Sequence, residues 1–129
     1  MIDKDTRVRD KGYLGWIARL PCCGCWVEKG VINHEVQVAH LRAGSPEHDK
    51  PYTGGQTKPS DRWTLPLCYA HHQGDKRRVR IAQHQRDELD FWAALGIDPF
   101  DLCVALQRAY AANRSGVMVI AAFIARRAQ

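Results

Sequence analysis

One stretch of the chain has apolar residues at every second position, and this alternation predicts a β-strand. Within residues 31–41, Val36, Val38 and His40 recur with a period of two and therefore share one face of the strand. We expect this strand to end at His40. The apolar segment 63–67 predicts a second strand, and Pro66 places it at a sheet edge or near the strand's end.

Helical patterns follow the second strand. A helix is predicted to begin near Cys68, and another over about residues 80–95, with Gly96 ending it in a left-handed conformation. Asp98 as N-cap followed by Pro99 predicts the start of the next helix, and segment 117–127 predicts a last one. Segment 13–20 fits either a short strand or a helical turn.

The two predicted strands are separated by a segment rich in Gly, Ser, Pro, Thr and charged residues, residues 42–59. Loops of this length without secondary structure are usually functional or disordered in a small domain. Strand, loop, strand and helix in this order predict a β-hairpin closed by a helix, and an α+β fold. In such a hairpin His40 can lie opposite His72.

The length of 129 residues predicts one domain with a modest core. We expect its core over about 20–96 and a helical extension over about 97–129. The chain has 19 Lys and Arg against 14 Asp and Glu, and the resulting net charge of +5 favours a polyanionic partner without requiring one. The basic run 76–80 follows the adjacent histidines and is either a phosphate-binding segment or a solvated helix face.

Cysteine usage favours a metal site over disulfide bonds. The number of cysteines is odd, and three of the five crowd into positions 22–25, which suits a reducing cytoplasm. The N-terminal residues lack the apolar stretch of a signal peptide, and the longest apolar run is too short to span a bilayer. We therefore expect a soluble, cytoplasmic protein with no membrane partner.

Two pairs of metal-type residues have the spacing of a structural zinc site. Cys22 and Cys25 form a Cys-x-x-Cys pair, and Cys68 and His71 form a Cys-x-x-His pair. Three thiols and one imidazole are the ligand count of a closed tetrahedral site. Cys23 can replace a member of the first pair, although the spacing favours Cys22 with Cys25 and a packing role for Cys23.

The next residue, His72, is predicted to serve a different site. Neighbouring helical residues project about 100° apart, so His72 can point away from the zinc ligands. One turn can then hold a structural metal on one side and a reactive metal on the other.

Three motifs together resemble those of the HNH, or ββα-metal, nucleases, and more closely the phage-type recombination-enhancement nucleases that depend on RecA. They are VAHLRAG over 38–44, GGQTKPSDRWTLPLCYAHHQGD over 54–75, and His84 followed by FW and GIDP. The resemblance covers about residues 20–100. It implies a ββα-metal (His-Me finger) core with a zinc knuckle and additional C-terminal helices. It also implies a metal-dependent DNA endonuclease of phage or prophage recombination in a bacterial host, with a RecA-type recombinase filament as a further partner.

The resemblance also assigns roles to residues. His40 becomes the general base, and His72 with His84 hold a catalytic divalent ion such as Mg²⁺ or Mn²⁺. Twelve positions separate these two histidines, more than in the family, so His84 is either this second ligand or an ordinary helix histidine. Asp61 lies where the family often carries a middle Asn. It either fixes the loop over the base, reaches the metal, or only forms a turn.

Several basic residues are candidate phosphate contacts: Arg42, Lys58, Arg62, Lys76, Arg77 and Arg78. Two alternatives to the nuclease remain open from the sequence. A non-catalytic zinc-knuckle module that binds nucleic acid would keep the Cys/His site and the basic residues. A protein-interaction adaptor would act through the apolar C-terminal helix.

Overall fold

The computed structural model describes residues 9–53, 59–74 and 88–127. It shows an α+β arrangement of helices around a small two-stranded sheet. The helices are α1 (Lys11–Ile17), α2 (Cys23–Lys29), α3 (Glu88–Leu95), α4 (Pro99–Ala111) and α5 (Gly116–Arg127), and the strands are β1 (Gln37–His40) and β2 (Thr64–Leu67). Two short helical turns, Pro46–His48 and Ala70–Gly74, complete the described elements.

The two strands form the predicted hairpin. They pair antiparallel with Gln37 opposite Leu67 and His40 opposite Thr64. The N–H of Leu41 donates to the carbonyl of Trp63 at 2.8 Å, which adds a last hydrogen bond beyond the strand ends. His40 therefore lies at the end of the paired region, as the alternation predicted.

The first strand is shorter than predicted, because residues 31–36 bind the region around α2 instead of a second strand. The carbonyl of Asn33 accepts from the N–H of Cys22 at 2.8 Å, and its side-chain amide donates to Cys25 Sγ at 3.6 Å. Val31 and Ile32 are consequently about half exposed, at 48% and 49%. The predicted strand over residues 31–41 was therefore wrong for residues 31–36, and β1 begins at Gln37.

Segment 13–20, for which the sequence allowed a strand or a helical turn, is helical over residues 13–17 of α1, and residues 18–20 form the turn after the helix. The carboxylate of Asp10 caps this helix by accepting from the N–H of Tyr13 at 3.0 Å. Tyr13 and Ile17 then point into the core. The start of α5 packs against the end of this segment, because a Cβ on Gly116 would lie 2.7 Å from Leu20.

The predicted helix end at Gly96 and the helix starts at Asp98 and near residue 117 are confirmed, while the predicted helix start near residue 80 lies outside the described residues. Gly96 has φ +75°, and Asp98 accepts from the N–H groups of Phe100 and Asp101 at 2.9 and 3.2 Å. Residues of α4 and α5 share one buried cluster with α1 and the sheet, so these helices complete the core. Within the described ranges, no helix combines the length and apolar character needed to cross a membrane.

The described part of the long loop, residues 42–53, is folded. Ser45 and Lys50 form an antiparallel bridge, and Lys50 Nζ donates to the carbonyl of Ala43 at 2.7 Å. His48 links the loop to α4, since Nδ1 and Nε2 lie 2.7 Å from Ser45 Oγ and Asp101 Oδ1 respectively. A structureless loop is therefore the wrong description of these residues, and residues 54–58 lie outside the described part.

Candidate metal centre and histidine site

The four predicted zinc ligands come from three neighbouring elements. Cys22 is the N-cap of α2, Cys25 lies in its first turn, Cys68 follows β2, and His71 lies in the turn Ala70–Gly74. Cys22 Sγ accepts from the backbone N–H of Cys25 at 3.4 Å and of Cys68 at 3.1 Å. These N–H···S bonds join α2 to the end of β2, so that the four ligand side chains point to a common centre.

The distances between the ligand atoms fit a tetrahedral zinc ion. His71 Nδ1 lies 3.6, 3.7 and 3.3 Å from the sulfurs of Cys22, Cys25 and Cys68, and the sulfurs of Cys25 and Cys68 are 3.7 Å apart. A tetrahedron with Zn–S bonds of about 2.3 Å separates its sulfurs by about 3.8 Å. All four residues are buried. This group can hold a metal ion such as zinc.

A glycine between the first cysteines is part of this geometry. A Cβ on Gly24 would lie 2.3 Å from Cδ2 of the His71 ring. The imidazole therefore packs directly against the backbone of α2. Any side chain at position 24 would displace the ligand, a constraint that ligand spacing alone does not reveal.

Glu28 supports the metal centre and was not singled out from the sequence. Its Oε1 lies 2.6 Å from His71 Nε2, while Nδ1 of the same ring faces the three thiols. A carboxylate on the distal nitrogen fixes the tautomer and orientation of a metal-binding histidine. Glu28 lies three residues after Cys25 in α2, so the helical spacing from a predicted ligand was the available signal.

Cys23 and Cys103 lie outside the ligand group. Cys23 is fully buried, and burial raises its pKa to about 12, so it remains a neutral thiol. Cys103 Sγ lies 3.6 Å from the carbonyl of Thr64 in the core. Burial also raises the pKa of the Cys22 and Cys25 thiols, which explains why thiolates at these positions require a compensating cation.

His40 and Asp61 form a hydrogen-bonded pair at the open end of the hairpin. His40 Nε2 lies 3.0 Å from Asp61 Oδ1, and the side chains are 18% and 3% exposed. Asp61 is held by a turn that precedes β2, in which Thr64 Oγ1 donates to the Asp61 carbonyl at 2.9 Å. Asp61 thus both takes part in the turn and contacts the histidine.

The carboxylate of Asp61 is also bound by the N-terminal end of α1. Oδ2 accepts from the N–H of Asp10 at 2.8 Å, and Arg9 Nη1 lies 3.5 Å from Oδ1. Burial acts to raise the pKa of Asp61, but the hydrogen bonds from His40 and Asp10 and the charges of His40 and Arg9 outweigh it and lower the pKa below its ordinary value. Asp61 is therefore an ionised anchor that orients the imidazole.

His72 points to β1, away from the thiols. Its Nδ1 lies 2.7 Å from Oε1 of Gln37, whereas Nδ1 of His71 faces the sulfurs. When Nδ1 donates to an amide oxygen, the ring carries its lone pair on Nε2. Two adjacent histidines in one turn thus have different surroundings. Gln37 was not singled out, because its contact depends on the hairpin register.

Two candidate phosphate contacts lie close in sequence to the His40–Asp61 pair. Arg62 follows Asp61 and is exposed, and Arg42 follows His40 by two residues and is half-buried. The remaining candidates lie outside the described residues: Lys58, Lys76, Arg77, Arg78 and the predicted metal ligand His84.

No protein-family profile, curated protein or solved structure matches this chain. The resemblance to HNH nucleases accordingly depends on the sequence motifs.

Proposed function

We propose that this protein is a metal-dependent HNH endonuclease that hydrolyses DNA phosphodiester bonds, in phage or prophage recombination or DNA processing. The observation that carries the proposal is the pairing of His40 with the buried Asp61 at the end of β1. In the proposed ββα-metal core, this strand pairs with β2, and the following turn presents His72 beside a Cys₃His group.

His40 has the surroundings of a general base. Because Nε2 is bound to Asp61, Nδ1 is the nitrogen that takes the proton from the attacking water. The ionised carboxylate fixes the tautomer and stabilises the imidazolium that forms after proton transfer.

His72 is the proposed ligand of the catalytic divalent ion, together with His84. Gln37 orients the His72 ring from β1, which is the strand that also carries His40. When bound, Mg²⁺ or Mn²⁺ supplies a Lewis acid for the scissile phosphate and the leaving oxygen. The Cys₃His group serves the site indirectly, by fixing the turn that contains His72.

The charge of the protein suits this substrate. A net charge of +5 favours binding to the phosphate backbone, and Arg42 and Arg62 are adjacent in sequence to the His40–Asp61 pair. A RecA-type recombinase filament is a further proposed partner, and it is implied by the family resemblance alone.

Cleavage of plasmid and single-stranded DNA tests the proposal. The parent protein is expected to cleave with Mg²⁺ or Mn²⁺ and to stop when the ion is omitted, with one reaction series containing recombinase filaments. His40→Ala should lower the rate by about 10²- to 10⁴-fold, because it removes the general base. His34→Ala is the matched control, since His34 is exposed and bonds to the carbonyl of Arg19 at 2.8 Å.

The zinc content is measured in every sample, so that loss of the structural metal is not mistaken for loss of the catalytic ion. Equal cleavage by His40→Ala and the parent would contradict the proposal.

The alternative function is a non-catalytic zinc-knuckle module that binds nucleic acid, and the buried Cys₃His group is compatible with both. Steeply salt-dependent DNA binding without cleavage under any ion would favour this module. Weak binding that does not change with salt would favour a protein-interaction adaptor instead.

A further inference from the structure

Glu88, the first residue of α3, binds the chain just after His40. Its Oε1 and Oε2 accept from the N–H of Arg42 at 2.9 and 3.0 Å, and Oε1 also accepts from the N–H of Ala43 at 2.8 Å. The contact joins residues 45 or more positions apart in the sequence. One carboxylate thus takes two successive backbone donors.

These donors lie where the hairpin stops pairing. The last hydrogen bond between the two chains of the hairpin runs from Leu41 to Trp63. In an extended strand, successive N–H groups point to opposite sides, so one carboxylate can bind both only where the chain bends. The chain bends at Ala43. Glu88 therefore fixes the direction in which the chain leaves His40.

The helix that carries Glu88 is itself anchored beside the metal centre. Phe91, three residues later and therefore on the same side of α3, has its ring centroid 6.5 Å from that of His71. Phe91 and Trp92 are fully buried. Helix α3, which carries the carboxylate that binds the N–H groups of Arg42 and Ala43, is thus anchored in the core.

We propose that Glu88 is a positioning residue for DNA cleavage, which fixes the backbone after His40 and so aligns His40 and Arg42 with the phosphodiester. This inference rests on the proposed endonuclease function. Glu88 acts through the two backbone N–H groups and contacts no reacting atom.

The test compares Glu88→Ala and Glu88→Gln with Asp90→Ala. Asp90 is an exposed acid in the same first turn of α3, so its removal changes the charge equally. Single-turnover cleavage at saturating DNA should fall about 10- to 100-fold in Glu88→Ala, because small misplacements of catalytic groups have effects of this size. At saturating DNA the rate does not depend on the Kd, so a weaker phosphate contact from Arg42 does not account for this loss. Glu88→Gln retains one acceptor oxygen and should recover part of the rate.

Amide hydrogen exchange provides a readout that does not depend on cleavage. Protection of the Arg42 and Ala43 amides should be lost in Glu88→Ala, partly retained in Glu88→Gln and unchanged in Asp90→Ala. Unchanged protection in both Glu88 variants, a parental cleavage rate, or tighter DNA binding would overturn the inference.

If the parent protein cleaves no DNA, the proposed function fails. The exchange data then still decide whether Glu88 fixes this backbone.

Discussion

The two histidine-containing regions of this protein differ in how closed they are. The Cys₃His group has four convergent side chains, and its imidazole is fully buried. The His40–Asp61 pair lies at the end of a strand with the imidazole 18% exposed. Structural zinc sites use all four positions for protein ligands, whereas a reactive site keeps access for water and substrate. Of the two adjacent histidines, His71 belongs to the closed group, whereas His72 bonds to Gln37 of β1.

The regions also differ in what supports them. Glu28 bonds to the imidazole of the metal group from the same helix that carries Cys22 and Cys25. Asp61 connects His40 to Asp10, the N-cap of α1, which lies 51 residues before Asp61 in the sequence. The spacing within each Cys-x-x-Cys or Cys-x-x-His pair is local, but both sites are completed by long-range contacts, since Glu28 and His71 lie 43 residues apart and Asp10 and Asp61 lie 51 residues apart.

Breaking the metal group should have the largest effect. Cys22→Ala removes a ligand and the acceptor of two N–H···S bonds. Because structural zinc contributes about 10–16 kcal/mol of apparent binding free energy in small domains, we expect the variant to lose zinc and its cooperative unfolding transition. Zinc analysis and thermal unfolding measure both quantities.

Cys23→Ala is the control for this experiment, because Cys23 is buried outside the ligand group. It should keep its zinc and lose about 1 kcal/mol of stability. A Cys22→Ala protein with the zinc content and unfolding temperature of the parent would refute the ligand assignment.

Asp61→Asn tests the support of the open site. The variant removes the charge that binds His40 and Asp10, so we expect slower cleavage and a loss of about 1.5–3 kcal/mol in the free energy of unfolding at pH 7. The folded pKa of Asp61 is lowered, so its contribution is present above the ordinary pKa of about 3.9 and is lost as the pH falls through the folded pKa.

The difference in stability between parent and Asp61→Asn should therefore narrow as the pH falls below about 3.9. Urea unfolding over a pH series measures it, with Asp90→Asn as an exposed control. A difference that does not narrow below this pH would show that the native contacts of Asp61 do not favour its ionised form.

Glu28→Gln should have the smallest effect of these changes. It leaves the four ligands in place but weakens the bond to His71 Nε2, so zinc affinity should fall by about tenfold. Competition with a zinc chelator measures the affinity, and Glu35→Gln provides the same charge change at an exposed position. Equal zinc affinities of the two variants would show that the carboxylate does not tune the metal site.

Features that depend on neighbouring residues could be predicted from the sequence. The Asp98–Pro99 start of α4 and the left-handed Gly96 follow from local backbone chemistry. The two pairs of zinc ligands were likewise visible, because each pair has its spacing within one turn of chain.

Features that depend on distant contacts could not be predicted. Three hydrogen bonds exist only in the folded protein. They join Asp61 to the N–H of Asp10, His72 to Gln37, and Glu88 to the N–H of Arg42. The same limit explains why residues 31–36 were assigned to a strand, since their backbone partner is Cys22. The type of each side chain indicates which bonds it can form, but the tertiary fold decides which residue is its partner.

The central claim is that two adjacent histidines in one turn serve different sites, and a paired substitution tests it directly. His71→Ala should lose zinc and the native fold. His72→Ala should keep one zinc ion per chain and the parental unfolding temperature while losing metal-dependent DNA cleavage. Loss of zinc from His72→Ala, or cleavage by His72→Ala at the parental rate, would contradict the account.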